Sequence, residues 1–226
     1  MSNELRYERK FVLEDYAINT LDDLDSFLPI NFYEKYQPRR INSIYYDTEN
    51  FQLADDHLNG LMRRFKIRIR YYGKIDKVSS PKLEIKSKFG LVGKKDIFKL
   101  SKIDLFKKNF CLSRLVKNLN INIPDLNLLF TLKPKIFISY KRQYCVSECT
   151  RFRYTLDNDI CFKPVNENTI KNNLNKNMFL KYYPRVLELK YLKSAEIEAN
   201  SLSRMLPARL TTHSKYCNAL EFLGLL

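Results

Sequence analysis

Long apolar runs, histidine, glycine and tryptophan are all scarce or missing in this chain of 226 residues. No stretch approaches the roughly 18 uncharged apolar residues that a membrane-spanning helix needs. The N-terminal residues MSNELRYERKF carry charges where a signal peptide has its apolar segment. We therefore expect a cytoplasmic protein without a membrane span. Because 45% of the residues are hydrophobic, the composition predicts a single domain over residues 1–226.

Cysteine and histidine are too few and too scattered for the common metal motifs. The five cysteines include no Cys-x-x-Cys pair, so neither a disulfide framework nor a zinc knuckle is indicated, and a reducing compartment fits best. Only His57 and His213 occur, and both are predicted to be structural. A bound metal would be held by carboxylates, which favour magnesium or manganese.

Charge of one sign dominates the composition. The chain has 40 Lys and Arg against 25 Asp and Glu, for a formal net charge of +15. So many cations repel one another unless an anion compensates them. The expected partner is therefore polyanionic, and nucleic acid, anionic lipid and polyphosphate all fit the net charge.

Basic and apolar residues alternate in five segments. In residues 63–72, Lys66, Arg68 and Arg70 fall on one side of a strand, with apolar residues on the other. The same division recurs in residues 5–11, 83–88, 151–157 and 187–191. Each segment alone fits an ordinary antiparallel strand with a solvated face. Solvated faces usually mix both charge signs, however, whereas these carry mostly Arg and Lys, which predicts a sheet face that binds an anion.

Further segments complete a predicted α+β fold. Additional strands are predicted at residues 41–48, 93–100 and 133–146, for a total of eight or nine. Helical spacing of apolar residues predicts helices at residues 15–28, 102–119 and 194–206. We predict a closed eight-stranded antiparallel β-barrel with the helices packed outside. If the cationic faces point inward, the barrel is a water-filled tunnel, since each buried unpaired charge costs several kcal/mol.

Eight short motifs occur in order along nearly the whole chain: RYERKF at 6–11, SIYYDT at 43–48, KIRIRYY at 66–72, LEIKSK at 83–88, SYKR at 139–142, RFRYTLD at 151–157, LELKY at 187–191 and SKY at 214–216. Together they resemble the polyphosphate polymerase domain of the vacuolar transporter chaperone (VTC) type, within the triphosphate tunnel metalloenzyme superfamily. The resemblance implies one domain of this type over residues 1–226, with the triphosphate tunnel fold. It also implies a divalent metal, Mn²⁺ or Mg²⁺, and transfer of the γ-phosphate of ATP to a polyphosphate chain held in the tunnel.

The resemblance further implies roles for individual residues. The predicted catalytic residues are Lys10, Arg68, Arg70, Lys86, Arg153 and Lys215. The predicted phosphate-binding residues are Arg6, Lys66, Lys88, Arg142, Arg151 and Lys190. The predicted metal ligand is Glu188, while Glu8 and Glu84 would hold the metal through water or orient neighbouring lysines. Asp47 is a candidate to brace an arginine of the tunnel.

Two departures from the superfamily pattern bear on the reaction and on the fold. Its hydrolase members open with Glu-x-Glu-x-Lys, whereas this chain reads Arg6-Tyr7-Glu8-Arg9-Lys10. One carboxylate is replaced by a cation, which favours a polymerase over a triphosphatase. At the end of the tunnel, Cys217 and Asn218 follow SKY in place of a small apolar residue and glycine.

Three other functions stay open on the sequence. They are a tunnel triphosphatase acting on inorganic triphosphate or nucleoside triphosphates, a non-catalytic polyphosphate-binding module, and a protein that binds single-stranded nucleic acid. The aromatic residues fall mainly opposite the cations, which disfavours nucleic acid because bases could not reach both at once. The expected partners are therefore ATP and inorganic polyphosphate or triphosphate, and the sequence specifies no protein partner.

Overall fold

The computed structural model describes residues 6–13, 18–90, 92–100, 112–118, 126–167, 170 and 179–226. The strands in this part of the chain are β1 (Arg6–Leu13), β2 (Phe32–Asp47), β3 (Arg63–Tyr72), β4 (Lys82–Phe89), β5 (Val92–Lys99), β6 (Lys133–Ser147), β7 (Phe152–Pro164), β8 (Leu180–Tyr182), β9 (Arg185–Leu192) and β10 (Leu210–Thr211). The α-helices are α1 (Gln52–Leu58), α2 (Leu112–Asn118), α3 (Leu126–Thr131), α4 (Glu196–Met205) and α5 (Lys215–Phe222). Short 3-10 helices span Asp22–Ser26 and Lys193–Ala195.

The ten strands belong to one sheet. They are hydrogen-bonded in the order β10-β1-β9-β7-β6-β2-β3-β4-β5, and β8 pairs with β7. The neighbouring pairs from β2 to β5, and the pairs that β9 makes with β1 and β7, are antiparallel. The α+β class with an antiparallel sheet is therefore confirmed.

The prediction of a closed eight-stranded barrel is wrong. The described residues form ten strands, and no pairing among them joins β10 to β5. Alternation of residue types shows which side chains share a face of a strand. Closure depends instead on the number of strands and on their stagger, which alternation leaves open.

The chain divides into two compact units, each built from three segments. The first unit contains Met1–Arg40, Tyr140–Ile160 and Lys181–His213, and the second contains Ile41–Ser139, Cys161–Leu180 and Ser214–Leu226. Strands β2, β6, β7 and β8 each contribute residues to both units. A single domain over residues 1–226 stays a prediction.

The core of the first unit consists of the apolar residues of the alternating strands. Phe152 and Tyr154 of β7 and Leu187 and Leu189 of β9 are fully buried in one cluster. Burial of each such side chain contributes about 1.5–3 kcal/mol. The apolar side of these strands is therefore the side buried in the core, as the alternation predicts.

The prediction of an α-helix at residues 15–28 is wrong for residues 18–28, the part that the structure describes. Only Asp22–Ser26 is helical there, and it is a 3-10 helix. The Asp23 carboxylate accepts hydrogen bonds from the backbone N–H groups of Asn19 and Thr20, at 2.7 and 2.9 Å. An aspartate that binds the backbone in this way competes with the bonds of an α-helix.

The other two predicted helices have different outcomes. The helix at residues 194–206 is confirmed as α4, which starts directly after the 3-10 helix Lys193–Ala195. Of the helix at residues 102–119, only α2 is described, and the remainder lies outside the described residues. None of the helices in the described part of the chain is long and apolar enough to cross a membrane.

The second unit has its own core beneath β2, β3 and β4. Ile67 and Ile69 of β3 pack with Ile85 of β4 and with Ile44 of β2, and all four are buried. The alternate residues of β3, which include Arg68, therefore face the opposite side of the sheet. This opposite side carries the charged residues of the unit.

Candidate functional site

Lysines lie opposite one another on the charged side of the second unit. Lys66 of β3 is the register partner of Lys86 of β4, and Lys86 is the partner of Lys95 of β5. Like charges directly opposite each other on neighbouring strands are destabilising. The arrangement therefore suits a negatively charged ligand that crosses the three strands.

A buried carboxylate organises the arginines of the same side. Glu84 has a side chain that is 2% exposed and lies opposite Arg68 in register. Arg68 Nε and Nη2 donate to Glu84 Oε2, at 2.9 and 2.8 Å. Arg70 and Lys95 pair with Glu84 Oε1, and the lysine distance is 3.0 Å. We call these four residues the Glu84 cluster.

The charge balance of the Glu84 cluster fixes the state of its carboxylate. Burial by itself raises the pKa of Glu84, but the charges of Arg68, Arg70 and Lys95 outweigh burial and hold this pKa below its ordinary value. The ionised carboxylate orients the two guanidinium groups through charge-assisted hydrogen bonds. Of the two roles predicted for Glu84, these contacts favour the orientation of neighbouring cations.

Lys95 is a member of this cluster that the sequence did not single out. The sequence of β5, VGKKDIFK, places two lysines side by side and lacks a clear alternation. Only the register with β4 shows that Lys95 shares a face with Lys86. Burial lowers the pKa of Lys95 to about 8, although the neighbouring Glu84 charge opposes this shift.

The start of α5 is attached to β3 within the second unit. Lys66 Nζ donates to Ser214 Oγ at 2.8 Å, and it also lies 2.8 Å from His57 Nε2. Ser214 is the N-cap of α5, and the predicted catalytic residue Lys215 is its first helical residue. His57, which was expected to be structural, therefore contacts a predicted phosphate-binding lysine.

The first unit contains a second charged cluster, centred on Glu188 of β9. We call it the Glu188 cluster, and its members are Glu8, Lys10, Arg142, Asp157, Glu188 and Lys190. Lys190 Nζ lies 2.5 Å from Glu188 Oε1 and 3.8 Å from Glu8 Oε2. Glu8 also pairs with Lys10, at 2.9 Å. The structure thus brings five predicted site residues together, with Asp157 as an addition.

Asp157 orients the arginine of the Glu188 cluster. Arg142 donates to the two oxygens of Asp157 through Nε and Nη2, at 2.5 and 2.6 Å. Its Nη2 is also 3.9 Å from Glu188 Oε2. Burial raises the pKa of Glu188, but the charges of Lys190, Arg142 and Lys10 outweigh burial and hold this pKa well below its ordinary value. Glu188 is therefore an ionised carboxylate.

The oxygen atoms around Glu188 fit a divalent metal of the magnesium or manganese kind. Glu188 and Glu8 supply two carboxylates that approach the same ammonium group. Thr155 of β7 is the register partner of Glu188, and its buried Oγ1 has no hydrogen-bond partner within the described residues. Magnesium commonly binds one or two carboxylates and takes its other ligands from water and phosphate. No group of three or more His, Cys, Asp or Glu side chains with metal-binding geometry occurs in the described part of the chain.

The remaining predicted residues are placed in several ways. Arg153 is the register partner of Lys190, so it lies on the face of the Glu188 cluster. Arg151 instead pairs with Glu198 of α4 at 2.6 Å, where both side chains are exposed. Lys88 is exposed on β4 opposite Arg64. Arg6 belongs to β1, but its side chain lies outside the described part of the structure.

Arg9 provides a contrast to these cations, because the alternation in residues 5–11 places it on the apolar side of β1. Its guanidinium donates to Glu196 and Asn200 of α4, both at 2.6 Å, and to the hydroxyl of Tyr191 at 3.0 Å. These contacts are to α4 and to the side of β9 that carries the buried Leu187 and Leu189. Arg9 therefore stabilises the packing of α4.

Comparisons with known proteins agree with this fold. A candidate adenylate cyclase from Bacillus halodurans is 17% identical, with a TM-score of 0.55, over 94% of this chain and 95% of that one. A second candidate adenylate cyclase, from Vibrio parahaemolyticus, is 11% identical, with a TM-score of 0.51, over 99% of each chain. At these identities the likeness concerns the fold alone. No curated protein matches the sequence.

A comparison with family models covers almost the whole sequence. The model of the VTC domain matches residues 5–224. That range includes every residue of the Glu84 and Glu188 clusters. The chain therefore belongs to the VTC domain family.

Proposed function

We propose that this protein is an ATP-dependent polyphosphate polymerase that transfers the γ-phosphate of ATP to the end of a polyphosphate chain. Membership of the VTC domain family supports this proposal. The observation that carries it is the row of lysines Lys66, Lys86 and Lys95, which joins the Glu84 cluster through Lys95. Such a row matches the repeated negative charge of a phosphate chain better than a single compact anion.

The Glu84 cluster would bind and orient phosphate groups. Glu84 holds Arg68 and Arg70 in place, so their remaining N–H groups are preorganised donors. Three cations share this one carboxylate, which leaves a positive excess for the ligand. Lys215, at the first turn of α5, would add a further ammonium group on the same unit.

The reaction needs no protein nucleophile. A terminal oxygen of polyphosphate attacks the γ-phosphorus of ATP, a new P–O bond forms, and the bond from that phosphorus to the β–γ bridging oxygen breaks to release ADP. The attacking oxygen is already ionised near neutral pH, so a strong general base is unnecessary. Catalysis then depends on positioning and on neutralisation of charge by arginine and lysine.

Glu188, with Glu8 and the hydroxyl of Thr155, would hold the divalent ion. A bound Mn²⁺ or Mg²⁺ supplies neutralisation of phosphate charge. In the structure, the Lys190 ammonium group is paired with the Glu188 carboxylate. If Glu188 holds the metal, this ammonium group would shift towards Glu8 or towards phosphate. Lys10, Arg142 and Arg153 complete the cationic side of the first unit. We place the protein in the cytoplasm, in keeping with a cysteine pattern that includes no Cys-x-x-Cys pair.

The proposal is tested by incubating the protein with ATP and Mn²⁺ and following both phosphate chains and nucleotide. We expect long phosphate chains to form, with one ADP released for each phosphate group that is added to a chain. Release of inorganic phosphate without chain growth would make the protein a triphosphatase. Tight binding of tripolyphosphate without ADP formation would make it a binding module, and tighter binding of single-stranded RNA than of tripolyphosphate would favour nucleic acid.

A further inference from the structure

Asp47, the last residue of β2, and Tyr216 of α5 form a buried pair within the second unit. Asp47 is 0% exposed and Tyr216 is 2% exposed. The Tyr216 hydroxyl donates to Asp47 Oδ2 at 2.7 Å. Asp47 was expected to brace an arginine. Its carboxylate instead binds Tyr216 and so connects the end of β2 to α5.

The other contacts of Asp47 fix its carboxylate in one orientation. Asp47 accepts hydrogen bonds from the backbone N–H groups of Thr48, Leu53 and Ala54, at 2.7, 2.8 and 3.1 Å. It therefore anchors the first turn of α1 as well as Tyr216. Burial raises the pKa of the Tyr216 hydroxyl, and the charge of Asp47 raises it further. The hydroxyl thus keeps its proton and acts as a donor.

The ring of Tyr216 reaches the cationic side through Tyr45. The two rings are stacked, with centroids 5.0 Å apart and planes 9° apart. Tyr45 is the register partner of Arg68, whose Nη1 donates to the Tyr45 hydroxyl at 2.8 Å. The stacking contact and the Asp47 hydrogen bond are separable, because only the second needs the Tyr216 hydroxyl.

Lys215 lies between two fixed neighbours. Ser214 is held by Lys66 of β3 through a 2.8 Å hydrogen bond. Tyr216 is held by Asp47 at the start of α1. The backbone of Lys215 is consequently attached on both sides to elements of the same unit, which limits where its ammonium group can reach.

We propose that the Tyr216–Asp47 pair positions Lys215 for the phosphate chain, although neither member of the pair touches phosphate. This inference rests on the proposed function of the cationic side. A side chain held in advance loses less conformational freedom when it binds, so its contact contributes more to affinity. Loss of the Tyr216 hydroxyl should therefore weaken phosphate binding only while Lys215 is present.

A double-mutant cycle tests this coupling, with tripolyphosphate affinity measured by titration calorimetry. We expect Tyr216→Phe to weaken binding about tenfold in the wild-type background, equal to about 1.4 kcal/mol, and less than about twofold in Lys215→Ala. Tyr71→Phe is the matched control, because the buried Tyr71 hydroxyl donates to the Ile75 carbonyl at 2.6 Å on the core side. This control should leave the affinity unchanged in both backgrounds.

Two results would overturn the inference: an equal loss from Tyr216→Phe in both backgrounds, or no loss in the wild type. If Tyr216→Phe fails to fold, Asp47→Asn provides a second cycle. It removes the charge of the partner of the hydroxyl and also changes the acceptor of the Ala54 N–H, and its effect on affinity should likewise be lost in Lys215→Ala. Failure of the proposed function is distinguishable, because the wild-type protein would then bind no tripolyphosphate or form no phosphate chains from ATP. Polyphosphate synthesis by each variant should follow the same coupling in kcat.

Discussion

Removal of the charge of Glu84 should destabilise the free protein and increase its response to tripolyphosphate. Glu84→Gln preserves the size of the side chain but leaves Arg68, Arg70 and Lys95 without their shared carboxylate. Loss of one partner of a buried ion pair costs about 3–5 kcal/mol. The partner side chains of Arg68 and Lys95 are 20% and 39% exposed, so water can compensate them in part and the low end, about 3 kcal/mol, is expected.

This free energy translates into a measurable change in melting temperature. For a chain of this length, about 1 kcal/mol shifts Tm by roughly 2–4 °C, so Glu84→Gln should lower Tm by about 6–12 °C without polyvalent anions. Tripolyphosphate can then replace the missing carboxylate. At about one hundred times its Kd it contributes about 2.7 kcal/mol, or roughly 5–11 °C. The variant should therefore regain most of its lost stability.

The assay is thermal unfolding of both proteins across a series of tripolyphosphate concentrations at constant ionic strength. At equal tripolyphosphate concentration, the anion should raise the Tm of Glu84→Gln by more than that of the wild type. The cations that lose the Glu84 charge should lower the Kd by more than the lost orientation of Arg68 and Arg70 raises it. Glu198→Gln is the matched control, because Glu198 pairs with Arg151 in an exposed position, and it should change neither Tm nor the response. Equal responses of wild type and Glu84→Gln, or an unchanged Tm, would refute the proposed role of Glu84.

The faces of the strands could be predicted from sequence because a strand repeats every two residues. Arg68 and Arg70 alternate with Ile67 and Ile69, and the structure buries the isoleucines while the arginines face Glu84. The same rule correctly placed Arg9 on the other side of β1. These assignments depend only on backbone geometry and on the tendency of apolar side chains to avoid water.

The partners of the charged residues could not be predicted, because they depend on register and on contacts between distant segments. Glu84 was expected either to hold the metal through water or to orient neighbouring lysines, and only the pairing of β4 with β3 and β5 shows that cations occupy both of its oxygens. Strand pairing likewise places Lys95 opposite Lys86 and Thr155 opposite Glu188. Tyr216 lies 169 residues from Asp47 in sequence, and no local pattern connects them.

Three further predictions concern the metal ligand, the arginines and pH. Glu188→Gln should abolish polyphosphate synthesis, because it removes the proposed metal ligand. Its affinity for tripolyphosphate, measured by calorimetry, should stay within about twofold of the wild type, because cations hold the chain. An equal loss of synthesis and of affinity would mean that the metal anchors the polymer. Arg68→Ala should lower the rate of polyphosphate synthesis at least about tenfold, equal to about 1.4 kcal/mol of transition-state stabilisation, whereas Arg9→Ala should affect stability alone. Similar losses of synthesis in both variants would contradict the assignment of strand faces. The pH prediction follows from Lys95, whose pKa burial lowers from 10.5 to about 8. Because its folded pKa is below the unfolded value, the free protein gains stability from this group as pH rises from about 8 to 10.5. Tripolyphosphate prefers the charged ammonium, so its affinity should fall with rising pH through about 8. Lys95→Arg keeps its charge throughout this range, and calorimetric titrations between about pH 7 and 9 should therefore show a shallower fall for this variant. Titration of tripolyphosphate itself is common to both proteins, so parallel profiles would exclude Lys95 as the cause.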